Sequence, residues 1–110
     1  MTEPIFHLAE PSDWSAGSPV YSPESVEQEG FVHCSTRDQL GGVARALYPD
    51  RDDLILLTID PDRLADGTLV YEDLYEHGDL FPHVYGPLPT RAVVSTEPYR
   101  AHLADRDASS

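Results

Sequence analysis

The chain has 110 residues, which is enough for one domain with a buried core and too few for a second module. Its formal net charge is -13, from 20 acidic residues against seven arginines and no lysine, so we expect no charge-driven partnership with nucleic acid or an anionic membrane. The longest apolar run, around Leu54–Leu57, is too short to cross a bilayer, and the single cysteine allows no internal disulfide. We therefore expect a soluble, cytoplasmic protein.

The predicted elements begin with a short strand at Pro4–Ala9. Its two-residue alternation puts His7 on a face that is otherwise apolar. A helix is then predicted from Ser22–Glu24, where serine is the cap and proline takes the first helical position, and Gly30 ends it. This helix leads directly into the most polar of the predicted strands.

That strand lies in the stretch GFVHCST, where an extended backbone puts His33 and Ser35 on the same face. Thr36 and Gln39 have the spacing of a capping box, and the apolar residues that follow predict a helix to Tyr48. A helix start carries free backbone N–H groups that favour negative charge. We therefore expect the two polar side chains to lie beside a site suited to an anion.

The predicted helix contains a pair of glycines, and two strands are predicted after it. The pair Gly41–Gly42 costs roughly 1 kcal/mol per residue relative to alanine inside a helix, which predicts that another group approaches its backbone. The continuous apolar run at Leu54–Asp60 predicts a central strand covered on both faces. Leu69–Leu74 predicts a further strand, with Val70 and Glu72 on one side.

The second unusual stretch is FPHVYGPL, at Phe81–Leu88. Its two prolines, Pro82 and Pro87, lack N–H donors, so we predict an edge strand or a rigid loop over a pocket. If the stretch is extended, His83 and Tyr85 share a face.

The order of elements is βαβαβ followed by more strands, and it predicts an α+β fold. We expect one domain over residues 1–98 and a polar, partly disordered tail over residues 99–110. His77 and His102, in a loop and in this tail, are expected to be solvated.

Three stretches together resemble one known family: the opening Ile5–His7, GFVHCST and FPHVYGPL. They are similar to the GFIHCS-like and FPHIYGPL-like motifs of domain-of-unknown-function family 952, and the resemblance covers roughly Ile5–Pro98 in the family's order. It implies a fold similar to ADP-ribosyltransferases, which is a small domain with a twisted, split β-sheet and two to three short helices around an NAD cleft.

The resemblance also implies catalytic roles. His7 matches the first-strand histidine of those transferases and would position a ribose hydroxyl. Glu72 would be the late carboxylate that stabilises the oxocarbenium-like ribose when the nicotinamide bond breaks. His33 and His83 belong to the motifs of family 952 and have no equivalent in the transferase triad. We hypothesise that one of them acts as the general base, because histidine ordinarily titrates near neutral pH.

The leading hypothesis that follows from this resemblance has NAD as the substrate, and we expect no resident metal. Ser35, a looser candidate for the middle hydroxyl of the family, would help to bind it. Thr36 and Arg37 would hold its phosphate at the helix start, and Tyr85 would stack on the nicotinamide or the other base. The chain is then an NAD-utilising enzyme of ADP-ribosyltransferase or NAD-glycohydrolase type.

Two alternatives stay open at this point. The first is a metal-binding protein, in which one ion is held by a set of side chains from separate strands: His7, His33, His83 and Glu72. No contiguous metal-binding spacing supports it. The second is a non-catalytic module that binds a small nucleotide.

Overall fold

The computed structural model describes residues 3–73 and 78–99. The tail predicted from residue 99 therefore lies outside the described residues from position 100 onward, as do His77 and His102. The elements are β1 (Ile5–Ala9), β2 (Val20–Tyr21), α1 (Glu24–Glu29), β3 (Phe31–His33), α2 (Arg37–Leu47), β4 (Leu54–Ile59), β5 (Leu69–Glu72), β6 (Phe81–Tyr85), β7 (Leu88–Pro89) and β8 (Val93–Tyr99). Within the described ranges, no helix is long and apolar enough to cross a membrane.

The strands form two three-stranded antiparallel sheets and one short pair. The first sheet has the order β1-β4-β8, the second has the order β3-β6-β5, and β2 pairs with β7. A bridge joins the two larger sheets: the Phe6 N–H donates to the Ser35 carbonyl at 2.8 Å, and the Ser35 N–H donates to the Phe6 carbonyl at 2.7 Å. This bridge brings the middle of β1 beside the end of β3. The α+β class predicted from the sequence is confirmed.

β4 is the central strand of the first sheet and is covered on both faces, as predicted. One face carries Leu57 and Ile59 into the larger core cluster, together with Ile5 and Ala9 of β1. The other face packs against Ala44 of α2. The two faces of β1 therefore belong to different cores, and His7 lies on the face of the larger one.

The predicted edge position of β6 is wrong, because β6 is the central strand of the second sheet. The Pro82 carbonyl accepts from the Cys34 N–H at 3.0 Å, so the carbonyl and the ring nitrogen of this proline both point toward β3. β3 ends at His33, just before that point. The N–H group that Pro82 lacks would therefore lie at the end of the β3–β6 hydrogen-bond ladder, so its absence does not interrupt the pairing of these two strands.

The helix ends follow the sequence signals in part. α1 begins after Pro23 with no side-chain cap, so the predicted serine cap is wrong, whereas Gly30 ends the helix at φ 90° as predicted. The capping box of α2 is confirmed: the Thr36 hydroxyl accepts from the Gln39 N–H, and the Gln39 side chain accepts from the Thr36 N–H. The predicted close approach to the glycine pair is not seen at Gly42, where a Cβ would meet no described atom within 4 Å, whereas a Cβ at Gly41 would lie 3.4 Å from the Arg45 guanidinium.

Candidate functional site

A cleft of about 910 Å³ collects most of the predicted site residues. Five of the eight candidates line it: His7, Ser35, His33, Glu72 and His83. They come from β1, β3 and the bridge after it, β5 and β6. Residues far apart in the sequence thus share one concave surface, which is the usual setting of a ligand site.

The register of the second sheet puts these side chains on one face. His33 pairs directly with His83 across β3 and β6, and Val70 pairs with His83 across β6 and β5. Glu72, two residues beyond Val70, therefore lies on the face of His83. Phe31 lies on the same face and stacks on the His83 ring, with ring centroids 4.2 Å apart and planes inclined by 21°.

The best-defined cluster is formed by Glu72, His83 and Tyr85. His83 is only 2% exposed, and its Nδ1 lies 2.9 Å from Oε1 of Glu72. The Tyr85 hydroxyl donates to the same oxygen. These hydrogen bonds, first that of Tyr85 and then that of His83, hold the pKa of Glu72 below its usual range. The carboxylate is therefore ionised at neutral pH and accepts both hydrogens.

This geometry leaves one ring nitrogen of His83 available. A carboxylate can only accept, so Nδ1 carries a hydrogen, and in the neutral form of the ring Nε2 has a lone pair. Every buried side-chain nitrogen or oxygen of the described chain has a hydrogen-bond partner. No described group bonds to His83 Nε2, so this atom is not fully buried, and His83 is one of the residues that line the cleft. A carboxylate that orients a histidine in this way is a recurring arrangement for proton transfer and for metal binding.

His7 is fixed by two hydrogen bonds within the protein. Its Nδ1 lies 2.6 Å from the His33 carbonyl and its Nε2 lies 2.8 Å from the Tyr21 hydroxyl. Since a carbonyl only accepts, Nδ1 carries the hydrogen and Nε2 accepts from tyrosine. Burial lowers the pKa of His7 to about 4, against an opposing contribution from the bond to His33. The ring is therefore neutral, and both its nitrogens are engaged.

His33 belongs to a second carboxylate–imidazole pair. Its Nε2 lies 2.8 Å from Oε1 of Glu29, the last residue of α1, and both side chains are more than a third exposed. The His33 and His83 rings stand edge to face, with centroids 5.4 Å apart. The two pairs therefore lie side by side, one exposed and one buried.

The family profile described as protein of unknown function (DUF952) matches residues 8–96. The chain belongs to this family. Its fold is similar to the crystal structure of protein CC0527 from Caulobacter crescentus, with a TM-score of 0.74 and 24% identity over 96% of this chain and 98% of that chain. A double mutant of CC0527 gives a TM-score of 0.73 and 23% identity over the same shares of the two chains. No curated protein matches the chain.

In this DUF952 member, the three remaining candidates do not line the cleft. Thr36 is engaged in the capping box, and the Arg37 guanidinium lies 4.9 Å from the centroid of the Phe6 ring. The Tyr85 hydroxyl is bonded to Glu72, and its ring lies 5.2 Å from that of Phe31. Thr36 and Arg37 therefore do not line the cleft that the histidines share, although Asp38 and Gln39 of the same helix start do.

Seven acidic residues line the cleft, against one arginine, Arg45, among the residues that the structure describes. The acids come from both helices, from the loops and from β5: Glu10, Asp13, Glu24, Asp38, Glu72, Asp73 and Asp79. Acidic residues that lie far apart in the sequence are therefore brought together at this surface. Composition could not reveal this, because it does not say which acids face the same space.

Ser35 is the other polar group that faces the cleft. It is 4% exposed, and its hydroxyl has no hydrogen-bond partner among the described residues, so this oxygen too reaches the cleft. Tyr21, the partner of His7, is a site residue that the sequence analysis missed. Its strand, β2, has two residues, which is too short to give an alternation signal.

The metal alternative finds no support in this arrangement. In residues 3–73 and 78–99, no three His, Cys, Asp or Glu side chains are placed to hold one ion. The four proposed ligands are bonded within the protein: His7 to Tyr21, His33 to Glu29, and His83 to Glu72.

Proposed function

We propose that this protein is an enzyme that breaks the N-glycosidic bond between a ribose and a nicotinamide-type base, the bond found in NAD, and passes the ribosyl group to water or another acceptor. One observation carries the proposal. An ionised carboxylate, Glu72, lines a cleft while it orients His83, which lines the same cleft and whose second ring nitrogen has no partner among the described residues.

The reaction divides between these two groups. The bond from C1′ to the base nitrogen breaks, and its electron pair goes to that nitrogen, so a cationic pyridinium leaves as a neutral base. The ribosyl group then carries positive charge, which the Glu72 carboxylate stabilises. A water oxygen forms the new bond to C1′ while its proton goes to Nε2 of His83 and later to solvent. The products are the free base, the hydroxylated ribosyl group and one proton.

In this proposal, His7 is a positioning residue. Its two hydrogen bonds hold the carbonyl of His33 and the hydroxyl of Tyr21. A direct bond to a ribose hydroxyl, as the family resemblance implied, would require one of them to break. His7 therefore ties the end of β3 and Tyr21 of β2 to β1.

The likeness to ADP-ribosyltransferases is part of the proposal. Two antiparallel sheets joined at the Phe6–Ser35 bridge, with the cleft nearby, are consistent with a split sheet of that kind. The cleft volume of about 910 Å³ suits a nucleoside or a nucleotide, since small-molecule sites span roughly 300–1,000 Å³.

The test is the release of nicotinamide from NAD and from nicotinamide riboside, followed by chromatography. We expect Glu72→Gln and His83→Ala each to lower kcat/KM at least about 100-fold, because each removes a group that acts in the transition state. Added imidazole should restore part of the rate of His83→Ala. Tyr71→Phe is the control, because Tyr71 is exposed on the opposite face of β5.

Two outcomes would contradict the proposal. One is the absence of nicotinamide release above the blank rate from folded wild-type protein. The other is a folded Glu72→Gln variant with the rate of wild type. If NAD or its nucleosides raise the melting temperature without turnover, the protein is the non-catalytic binding module instead.

A further inference from the structure

This inference rests on the proposed function and names its substrate class. We infer that the cleft takes a nucleoside with a cationic base and no phosphate groups, in preference to a dinucleotide. Three separate observations support it: the charge of the lining, the state of the α2 helix start, and the hydroxyl of Ser35.

The lining carries carboxylates on several sides. Asp38 lies in the first turn of α2, Glu24 in the first turn of α1, and Asp13 between β1 and β2. Glu10, which also lines the cleft, is neutralised by Arg51, whose Nη1 lies 3.0 Å from Oε2 of Glu10. A negative potential of this kind lowers the local concentration of anions and raises that of cations. A pyridinium nucleoside is attracted, and each added phosphate opposes the attraction.

At the start of α2, where a phosphate was predicted to bind, side chains of the protein itself bond to backbone N–H groups. The Thr36 and Gln39 side chains satisfy each other's backbone N–H groups. The Gln39 amide also donates to the Leu80 carbonyl at 2.7 Å and to Asp79 at 3.0 Å. A phosphate arriving here would meet carboxylates and find two of the amides already bonded. The N-terminal end of α2 is therefore a poor binding site for a phosphate.

Ser35 points instead to a neutral, hydroxyl-bearing group. Its side chain is buried at 4% exposure, and its oxygen reaches the cleft without a hydrogen-bond partner in the described chain. A hydroxyl left in this state both donates to and accepts from a sugar hydroxyl. His83 lines the same cleft, so the hydroxyl and the imidazole that a ribose would use belong to one site.

The experiment uses three probes that share nicotinamide and ribose and differ in phosphate: nicotinamide riboside, its 5′-mononucleotide and NAD. Nicotinamide release and thermal stabilisation are both measured with the full chain. We expect kcat/KM to be highest for the riboside and to fall roughly tenfold for the mononucleotide, with NAD no better than the mononucleotide. Raising the salt concentration should narrow the difference, because it screens the repulsion.

A charge variant tests the cause. Asp13→Asn with Asp38→Asn removes two carboxylates from the lining and leaves Glu72 and His83 intact. It should reduce the riboside preference several-fold. Asp50→Asn with Asp66→Asn removes the same charge from exposed positions outside the lining, and should leave the preference unchanged.

The outcomes separate this inference from the proposed function. If NAD or the mononucleotide is turned over as well as the riboside, the inference is overturned and the proposed function stands. If nothing is turned over but the riboside alone stabilises the protein, the charge selection stands and the proposed function is overturned. If none of the three probes is turned over or stabilises the protein, both are overturned.

Discussion

His7 shows how a strand accommodates a histidine on a core-facing side. Its neighbours on that face, Ile5 and Ala9, are fully buried, and an unpaired imidazole there would be costly. The His33 carbonyl and the Tyr21 hydroxyl remove that cost by bonding to both ring nitrogens. The histidine therefore joins β1, β2 and β3 at one point, and its neutral state is a condition of the fold.

The neutral state of His7 predicts a dependence of stability on pH. Its pKa of about 4 in the folded protein lies below the ordinary value of 6.5 in the unfolded chain, so the unfolded state binds the proton first. The contribution is complete above pH 6.5 and is lost as the pH falls toward 4. Between pH 7 and pH 5, we expect it to lower the free energy of unfolding by about 2 kcal/mol.

Urea unfolding at several pH values measures this effect, with His7→Gln as the comparison. Glutamine donates and accepts hydrogen bonds as the neutral imidazole does, but it has no proton to bind in this range. The difference in unfolding free energy between the two proteins should therefore shrink or reverse as the pH falls. A difference that stays constant from pH 7 to pH 5 would show that His7 is not held neutral.

At the scale of elements, the sequence predicted which side chains share a face of a strand better than it predicted which strands lie next to each other in a sheet. The alternation of GFVHCST and FPHVYGPL indicated that His33 and Ser35 would share a face and that His83 and Tyr85 would share another. It could not indicate that β6 is central, because the rule against proline in a central strand depends on where the partner strand ends. Likewise, adjacency to a helix start predicted a phosphate site, whereas Thr36 and Gln39 cap that start themselves and the Gln39 side-chain amide donates to the Leu80 carbonyl.

Two glycines, one inside α2 and one at the end of α1, allow a pair of alanine substitutions with opposite expected effects on stability. Gly42 lies in the interior of α2, where a Cβ meets no described atom within 4 Å, so Gly42→Ala should raise the free energy of unfolding by about 1 kcal/mol. Gly30 also has open space around it, but its φ is 90°. Gly30→Ala should therefore lower the free energy by about 1 kcal/mol through backbone strain alone.

Chemical denaturation of both variants beside wild type checks this pair. The two substitutions add the same methyl group, so their opposite signs isolate the backbone conformation as the cause. A loss of stability in Gly42→Ala would mean that the glycine pair is needed by the folded backbone, as the sequence alone suggested. Because Gly42 lines the cleft, the same variant also reports whether a ligand requires that space.

At the scale of the whole molecule, the apolar residues of the sequence predicted where the core lies. The polar residues did not predict all of the side chains that line the cleft. The run at Leu54–Ile59 predicted a doubly covered strand because burial on both faces leaves no polar alternation. The cleft lining is assembled from both helices, both large sheets and several loops. Which acids converge there depends on tertiary packing, and a single sequence carries no local signal for that.

The net charge of -13 gives the last prediction. The molecule extends 37 × 33 × 31 Å, and at 0.01 M salt the screening length is about 30 Å, so carboxylates across the whole molecule repel one another. At 0.1 M salt the screening length falls to about 10 Å, and much of this repulsion is removed. The exposed ion pairs of Arg51 weaken in the same range but contribute little. We therefore expect salt to stabilise the protein.

Thermal unfolding at 0.01 M and 0.1 M sodium chloride should show a melting temperature several degrees higher in the second solution, since about 1 kcal/mol corresponds to roughly 4–8 °C in a domain near this size. Asp50→Asn with Asp66→Asn changes the net charge from -13 to -11, because two negative charges are removed. Its rise with salt should be smaller than that of wild type. An equal rise in the two proteins would assign the effect to specific ion binding or to solvent, and a fall in the melting temperature with salt would show that attractive pairs outweigh the repulsion.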